Sequence, residues 1–554
     1  MNRLRPSSAG ARSLLLDAVA GLLVAAATLA TIGALLGTGW RVYFLRDGDS
    51  LALPMMMESL RSGEPLQWVM TSQLFFFPEL PLYALSSLAG SVQAALLLNG
   101  VLNVVLLFVI ARGVAALVLA DRAPWLRRIA AVAVCVLFLL LCLSETRALN
   151  NDGALAPTFL LTTYYHGSVL VALGCAALTL RSIGGAASRV GTLLAPALVV
   201  LLSAATTLSN PLFLFHFTVP AVIALLSLRL TAQLRTRPAL TLLGAAVGGS
   251  ALGFLARIPL SSFIATDPSS YIDSPLAGAA LTRLMEQIAD VKSTPAGLAE
   301  LAVLAGLLVA AALIVLARLH RLVRPRPEPE ALSALHARSW FLCVFAAAQV
   351  VVLLSVQLAT GSTVTRYLMP LAVTLCLLAP VVLAAVLRRR DPRPTARAVT
   401  AVTVTAAIGA SLLLGGAGAA ASVRAVEAED PAGPSASCIE DWVGGRDIAG
   451  VASFWISRPL ALYGGLDVQQ VNTDFSVQVW MSNLTWYDDE DFSFVLVDPT
   501  TQWPDFAEAS FGPPASVVDC GEVDILDYSG TPGEAKLDEV ISTSVGKARQ
   551  IYGY

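Results

Sequence analysis

Residues Arg46–Gln67 read RDGDSLALPMMMESLRSGEPLQ, directly after the first long apolar run of the chain. Asp47 and Asp49 flank a single glycine at the point where a chain leaving a bilayer meets water. Leu53, Met56, Met57 and Leu60 stand at i, i+3, i+4 and i+7 and form one apolar helical face, with Glu58, Arg61 and Glu64 off that face. The pattern predicts a helix lying along the membrane interface. Ser50 is its expected N-cap, which places Pro54 in the first turn, where a missing N–H costs little, and Ser62-Gly63 is its stop. One of the two aspartates then serves as a cap or as a partner of the helix dipole. A carboxylate held at headgroup level can equally take a proton from an acceptor hydroxyl, or help bind a divalent cation through oxygen. The two roles are compatible, because a cap also fixes the geometry of its loop.

The rest of the chain sets this stretch in a membrane. Of 554 residues, 56% are hydrophobic and 14% charged, against about 25% charged in a soluble protein. The net charge of −3 hides an asymmetry. Residues from Ala421 onward carry 22 acidic and 6 basic side chains, a net of −16, and the remainder carries 17 and 30, a net of +13. A basic-looped membrane body therefore precedes an acidic, water-facing tail, which would repel nucleic acid. Cys135, Cys142, Cys175, Cys343 and Cys376 lie in apolar runs, as small hydrophobes do. Cys438 and Cys520 lie in the tail and form the expected disulfide if the tail is outside.

A spanning helix needs about 20 mostly apolar residues. Eleven are expected, near 14–38, 91–119, 129–147, 160–181, 191–208, 211–229, 239–257, 297–317, 339–359, 367–387 and 398–418. Arginine clusters fall on alternate loops, including Arg3/Arg5/Arg12, Arg122/Arg127/Arg128, Arg181/Arg189 and Arg229/Arg235/Arg237. By the positive-inside rule that side is cytoplasmic. An odd number of spans then puts the amino terminus in the cytoplasm and the tail outside a plasma membrane. The expected division is a transmembrane domain over 1–419, with its first outer loop at 40–90, a linker over 420–436, and an acidic extracytoplasmic domain over 437–554. Within the tail, short β-like runs alternate with helix-like pieces such as SRPLALYGG and WPDFAEAS, which predicts a mixed α/β domain. WYDDED, at 486–491, reads either as a solvated acidic loop or as a cation-binding one. The cytoplasmic loops are short and carry no phosphate-cradling glycine motif, so ATP-driven transport by this chain alone is not expected.

A long first outer loop with acidic residues just after helix one, an interfacial helix, some eleven spans and an outer carboxyl-terminal domain resemble the membrane-embedded GT-C glycosyltransferases. The resemblance implies transfer of a sugar from a polyprenyl-phosphate donor to an envelope glycan or protein acceptor on the outer membrane face. It implies that an aspartate of the first loop acts as base or metal ligand, and Asp47 and Asp49 are the matching positions. The next outer loop reads SETRALNNDGALAP, where Asp152 is the counterpart of a second acidic motif. Asp47 and Asp152 are then the candidate ligands of a divalent cation, Mg or Mn. Asp152 stands beside Asn150 and Asn151 rather than in an acidic pair, and the tail has no WWD-type motif, which disfavours an asparagine-linked oligosaccharyltransferase.

A departing phosphate needs cationic or hydrogen-bonding stabilisation. Arg366 in GSTVTRYLMP offers a planar fork at the outer end of a helix, or it is an arginine snorkelling to the interface. His166 is the one histidine expected in an outer loop; with Tyr165 it is a candidate to bind the phosphate or an acceptor, or it is an interfacial histidine packed with Tyr164 and Tyr165, and Arg257 is a further substrate-binding candidate. Two other classes fit the same sequence. A lipid or solute transporter or flippase usually shows mid-membrane charges and internal repeats, and few such charges and no clear repeat are evident here. A noncatalytic envelope assembly protein would need its tail and not Asp47 or Asp49.

Overall fold

The computed structural model describes residues 8–145, 155–183, 189–265, 274–323, 330–387, 396–488 and 491–554. Among the described residues, eight helices are long and apolar enough to cross a membrane: Ala11–Leu35, Val92–Val118, Pro124–Ser144, Thr236–Phe263, Pro295–Arg321, Ser333–Ala359, Thr365–Val386 and Ile408–Glu427. Three shorter apolar helices, His166–Ser182, Leu193–Ser209 and Leu214–Leu230, correspond to the fourth, fifth and sixth expected spans. The protein is a polytopic α-helical membrane protein with a carboxyl-terminal α/β region.

The chain forms two compact units. The first contains Met1–Trp40, Leu97–Ala256 and Ser269–Ser422. Its helices meet at small residues, where backbones approach closely. A Cβ on Gly418 would lie 2.5 Å from the Ala30 amide nitrogen, and one on Gly253 2.5 Å from the Ala204 carbonyl oxygen. Near one end of the first helix, Asp17 receives Arg112 Nε at 2.9 Å and Arg128 Nε at 2.7 Å.

The second unit contains Arg41–Leu96, Arg257–Pro268 and Val423–Tyr554. The segment Arg41–Leu96 thus folds with the tail. The tail holds a five-stranded sheet of order β3-β2-β5-β7-β6, with β2 (Ala449–Ala452), β3 (Val468–Gln470), β5 (Phe492–Val497), β6 (Ser516–Asp519) and β7 (Asp524–Asp527). The β2–β3 and β2–β5 pairs are parallel, and β5–β7 and β6–β7 are antiparallel. A second, two-stranded sheet pairs β1 (Trp68–Val69) of the loop with β4 (Ser482–Asn483) of the tail, Trp68 opposite Asn483.

Three helices carry the rest of this unit: α1 (Gly48–Ser62), α2 (Phe454–Gly464) and α3 (Pro532–Tyr552). The core beneath α1 joins Leu51, Leu53 and Met56 to Trp68, Phe75, Phe454 and Met481. Cys438 and Cys520 are bonded, with Cα atoms 5.7 Å apart. The chain stays helical through Glu427, and a further helix starts at Ala436.

Candidate active site

The aspartates open α1, and their place follows from the cap. Asp47 is the N-cap, with extended φ/ψ, and its Oδ2 accepts the Ser50 amide at 3.2 Å. The cap, and with it the helix, therefore begins three residues earlier than expected from Ser50. Pro54 consequently lies inside it and donates nothing to the Ser50 carbonyl. Ser50 instead turns its hydroxyl to the Tyr43 carbonyl at 2.7 Å. Asp49 lies in the first turn, where the positive end of the helix dipole favours a carboxylate. Gly63, at φ 76°, ends the helix as the sequence predicts. Asp47 is buried and Asp49 half-buried.

The buried face of α1 differs from the predicted stripe. Leu53 and Met56 are buried, but Leu60 is 42% exposed and Ser59 is buried in its place. Ser59 Oγ accepts Trp68 Nε1 at 3.1 Å, and Asn483 Nδ2 reaches it at 3.2 Å. The helix is packed on both the loop's return segment and the tail, so a hydroxyl serves where a single-face pattern expects leucine.

Further bonds tie the loop to the tail. Asn483 Nδ2 donates to the Pro65 carbonyl at 2.9 Å, Trp486 Nε1 to Glu64 at 2.9 Å, Arg549 Nε to Gln67 Oε1 at 3.0 Å, and Tyr463 Oη to the Leu45 carbonyl at 2.8 Å. Burial raises the Glu64 carboxyl, but the hydrogen bonds of Ser59, Trp486, Ser62 and Asn483 outweigh it and hold it below its usual range.

Arg458 lies one turn into α2 and is fully buried. Its Nη1 donates to the Gly48 carbonyl at 3.1 Å, and its Nε to Gln470 Oε1 at 3.0 Å. Its Nη2 donates to the Met481 and Trp480 carbonyls, and the group lies 4.2 Å from the Phe454 ring centroid. Burial lowers its pKa to about 10, against the raising charges of Asp49, Tyr487 and Asp47. It is charged at neutral pH. In the same unit, Arg41 Nη1 lies 2.9 Å from Glu429.

The remaining candidates divide between the units. In the first, Arg366 lies over the Tyr164 ring at 5.2 Å, and the rings of Tyr165 and Tyr367 are 5.4 Å apart. Tyr165 adopts a left-handed φ of 67° that swings the chain into the helix beginning at His166. His166 is fully buried, edge-on to Phe159 at 6.4 Å. Arg257, in the second unit, donates Nη2 to the Ser72 carbonyl at 2.8 Å. Asp152 lies outside the described residues. Among the described residues, no group of three or more His, Cys, Asp or Glu side chains is placed to hold a metal ion. The aspartate pair alone does not make up the oxygen set that Mg or Mn requires.

Sequence reasoning passed over a second carboxylate site. In the first unit, Glu145 accepts the amides of Leu155 at 2.8 Å and Ala156 at 3.3 Å, while Ser144 Oγ donates to Glu300 at 2.7 Å. Both glutamates are buried. Burial, then the charge of Glu300, holds the Glu145 carboxyl well above its usual range. Glu145 stands in the loop that supplied Asp152, so its signal was an acid at the very end of an apolar run.

No protein-family profile matches the chain, and no curated protein sequence matches it. Solved structures do. ArnT from Cupriavidus metallidurans bound to undecaprenyl phosphate superposes with a TM-score of 0.50 at 12% identity, covering 95% of this chain and 99% of that one. The same protein in the apo state gives 0.49 at 11% identity, over 96% and 99%. The Archaeoglobus fulgidus oligosaccharyltransferase in complex with Zn and sulfate gives 0.41 at 13% identity, over 88% of this chain and 69% of that one. At these identities the likeness is one of fold, and the architectural resemblance to the GT-C transferases holds at that level.

Proposed function

We propose that this chain transfers a sugar from a polyprenyl-phosphate donor to an envelope glycan or protein acceptor at the outer face of the plasma membrane. The observation that carries the reading is the Asp47–Asp49 pair, with Asp47 capping its own helix and the buried Arg458 bonded to the carbonyl of Gly48 between them. The fold shared with an undecaprenyl-phosphate-bound protein supports the donor class. The Cys438–Cys520 bond supports an oxidising compartment for the tail, in line with the alternation of arginine-rich loops.

In this chemistry the aspartate pair accepts the proton of the acceptor hydroxyl as its oxygen bonds to the anomeric carbon. The bond from that carbon to the donor phosphate oxygen breaks, and polyprenyl phosphate leaves. Arg366, in the first unit and held over Tyr164, offers a planar cation suited to a phosphate. The test is a comparison of envelope glycans and polyprenyl-linked sugars in a deletion strain and its parent. A missing glycan with its lipid-linked precursor retained supports the reading and identifies the sugar. Unchanged profiles of both contradict it.

A further inference from the structure

We infer that Arg458 is the positioning residue of the aspartate pair: its guanidinium holds the carbonyl of Gly48, the one residue between Asp47 and Asp49, and thereby sets where both carboxylates stand. This rests on the reading of that pair as the reacting carboxylates. Nothing in the sequence joins the two sites, since Arg458 and Gly48 are 410 residues apart.

Three observations converge on the contact. The guanidinium is itself immobilised, with its other donors committed to Gln470, Trp480 and Met481. Gln470 is in turn fixed by bonds from its Nε2 to the Gln478 carbonyl at 2.6 Å and the Trp480 carbonyl at 2.8 Å. Finally, Gly48 fits against α2 only because it lacks a side chain. A Cβ there would lie 2.5 Å from the Phe454 ring and 3.1 Å from the Phe454 carbonyl oxygen. The same ring lies beneath the guanidinium. The peptide between the aspartates is therefore gripped through its carbonyl by Arg458 and through its α-carbon by Phe454. A buried charge is costly unless its hydrogen bonds are met, so this guanidinium is a rigid anchor rather than a mobile surface group. The tail is accordingly part of the site's geometry.

The test uses the full chain, in a complemented deletion strain and as purified protein in detergent. The variants are Arg458→Gln, Arg458→Lys and Gly48→Ala, with the Asp47→Asn/Asp49→Asn double variant as reference. Glycan transfer is normalised to the membrane level of each variant, and amide hydrogen exchange is read over 46–50. Misplacing a reacting group by about 1 Å costs about 100-fold in rate. Arg458→Gln and Gly48→Ala are therefore expected to lose about that much transfer per molecule and to exchange faster over 46–50. Arg458→Lys, which keeps the charge and one donor, restores part of the loss. If Arg458→Gln does not reach the membrane, Gly48→Ala disturbs the same contact from the other side and decides alone. Wild-type transfer per molecule in these variants, with transfer lost in the aspartate variant, overturns the role of Arg458 and leaves the site standing. Wild-type transfer in the aspartate variant as well overturns both.

Discussion

Asp47 accepts the backbone amide of Ser50 at 3.2 Å, so a carboxylate assigned to chemistry is also the cap of its own helix. The two roles separate by substitution. Asparagine caps a helix about as well as aspartate, whereas alanine costs roughly 0.5–2 kcal/mol. Asp47→Asn is therefore expected to keep wild-type thermal stability and lose transfer, and Asp47→Ala to lose both. Unfolding midpoints in detergent, read beside glycan levels, check this. Full transfer by Asp47→Asn would leave Asp47 a cap alone.

The Cys438–Cys520 bond closes a loop of 82 residues in the tail. Cross-links of that span stabilise by roughly 2–5 kcal/mol, mainly by restricting the unfolded chain. Cys438→Ser/Cys520→Ser should lower the unfolding midpoint of the tail accordingly, and reductant should shift wild type and leave the variant unmoved. Equal midpoints with and without reductant would show that the bond carries no stability.

Glu145 gives a pH dependence with a definite sign. The folded Glu145 carboxyl titrates above its unfolded value. The folded state therefore binds more protons in the window between the two values, and this stabilising contribution is lost as pH rises through the folded pKa. Glu300→Gln removes the opposing charge and leaves an oxygen for the Ser144 hydroxyl. The variant should lose less stability than wild type as pH is raised above the ordinary carboxylate range. Parallel curves of midpoint against pH would refute the coupling.

Gly418 approaches the backbone of the first helix so closely that any Cβ meets the Ala30 nitrogen and the Leu29 carbonyl. Gly418→Leu should push the helices Ser8–Leu35 and Ala396–Glu427 apart and destabilise by roughly 1–3 kcal/mol, the usual cost of overpacking. The loss would appear as a lower midpoint or a reduced membrane level.

Much of the membrane half was legible because a bilayer demands long apolar runs, and those leave little room for misreading. The start of α1 was not, because Asp47, Asp49 and Ser50 are all good caps and only the tertiary packing selects among them. Spacing placed Leu60 on the apolar face of the helix, and it could not show that Ser59 would be buried against Trp68 of the loop's return segment. α3 did leave a signal that the β-like runs obscured. Thr531 and Glu534 have capping-box spacing, with Thr531 accepting the Gly533 amide at 3.1 Å, and Leu537, Ile541 and Val545 recur every fourth residue. Arg458 left none. A lone arginine in a helix-like piece looks solvated until the fold brings Gly48 and Met481 to it.

The most direct measurement is the ratio of polyprenyl-phosphate-linked sugar to free polyprenyl phosphate in membranes of the deletion strain. The strain is complemented with wild type or with Asp47→Asn/Asp49→Asn at matched membrane levels. If these carboxylates drive transfer, wild type lowers the ratio and restores the glycan, while the variant leaves the donor accumulated and the glycan absent. A variant that lowers the ratio and restores the glycan as wild type does would contradict the proposed chemistry.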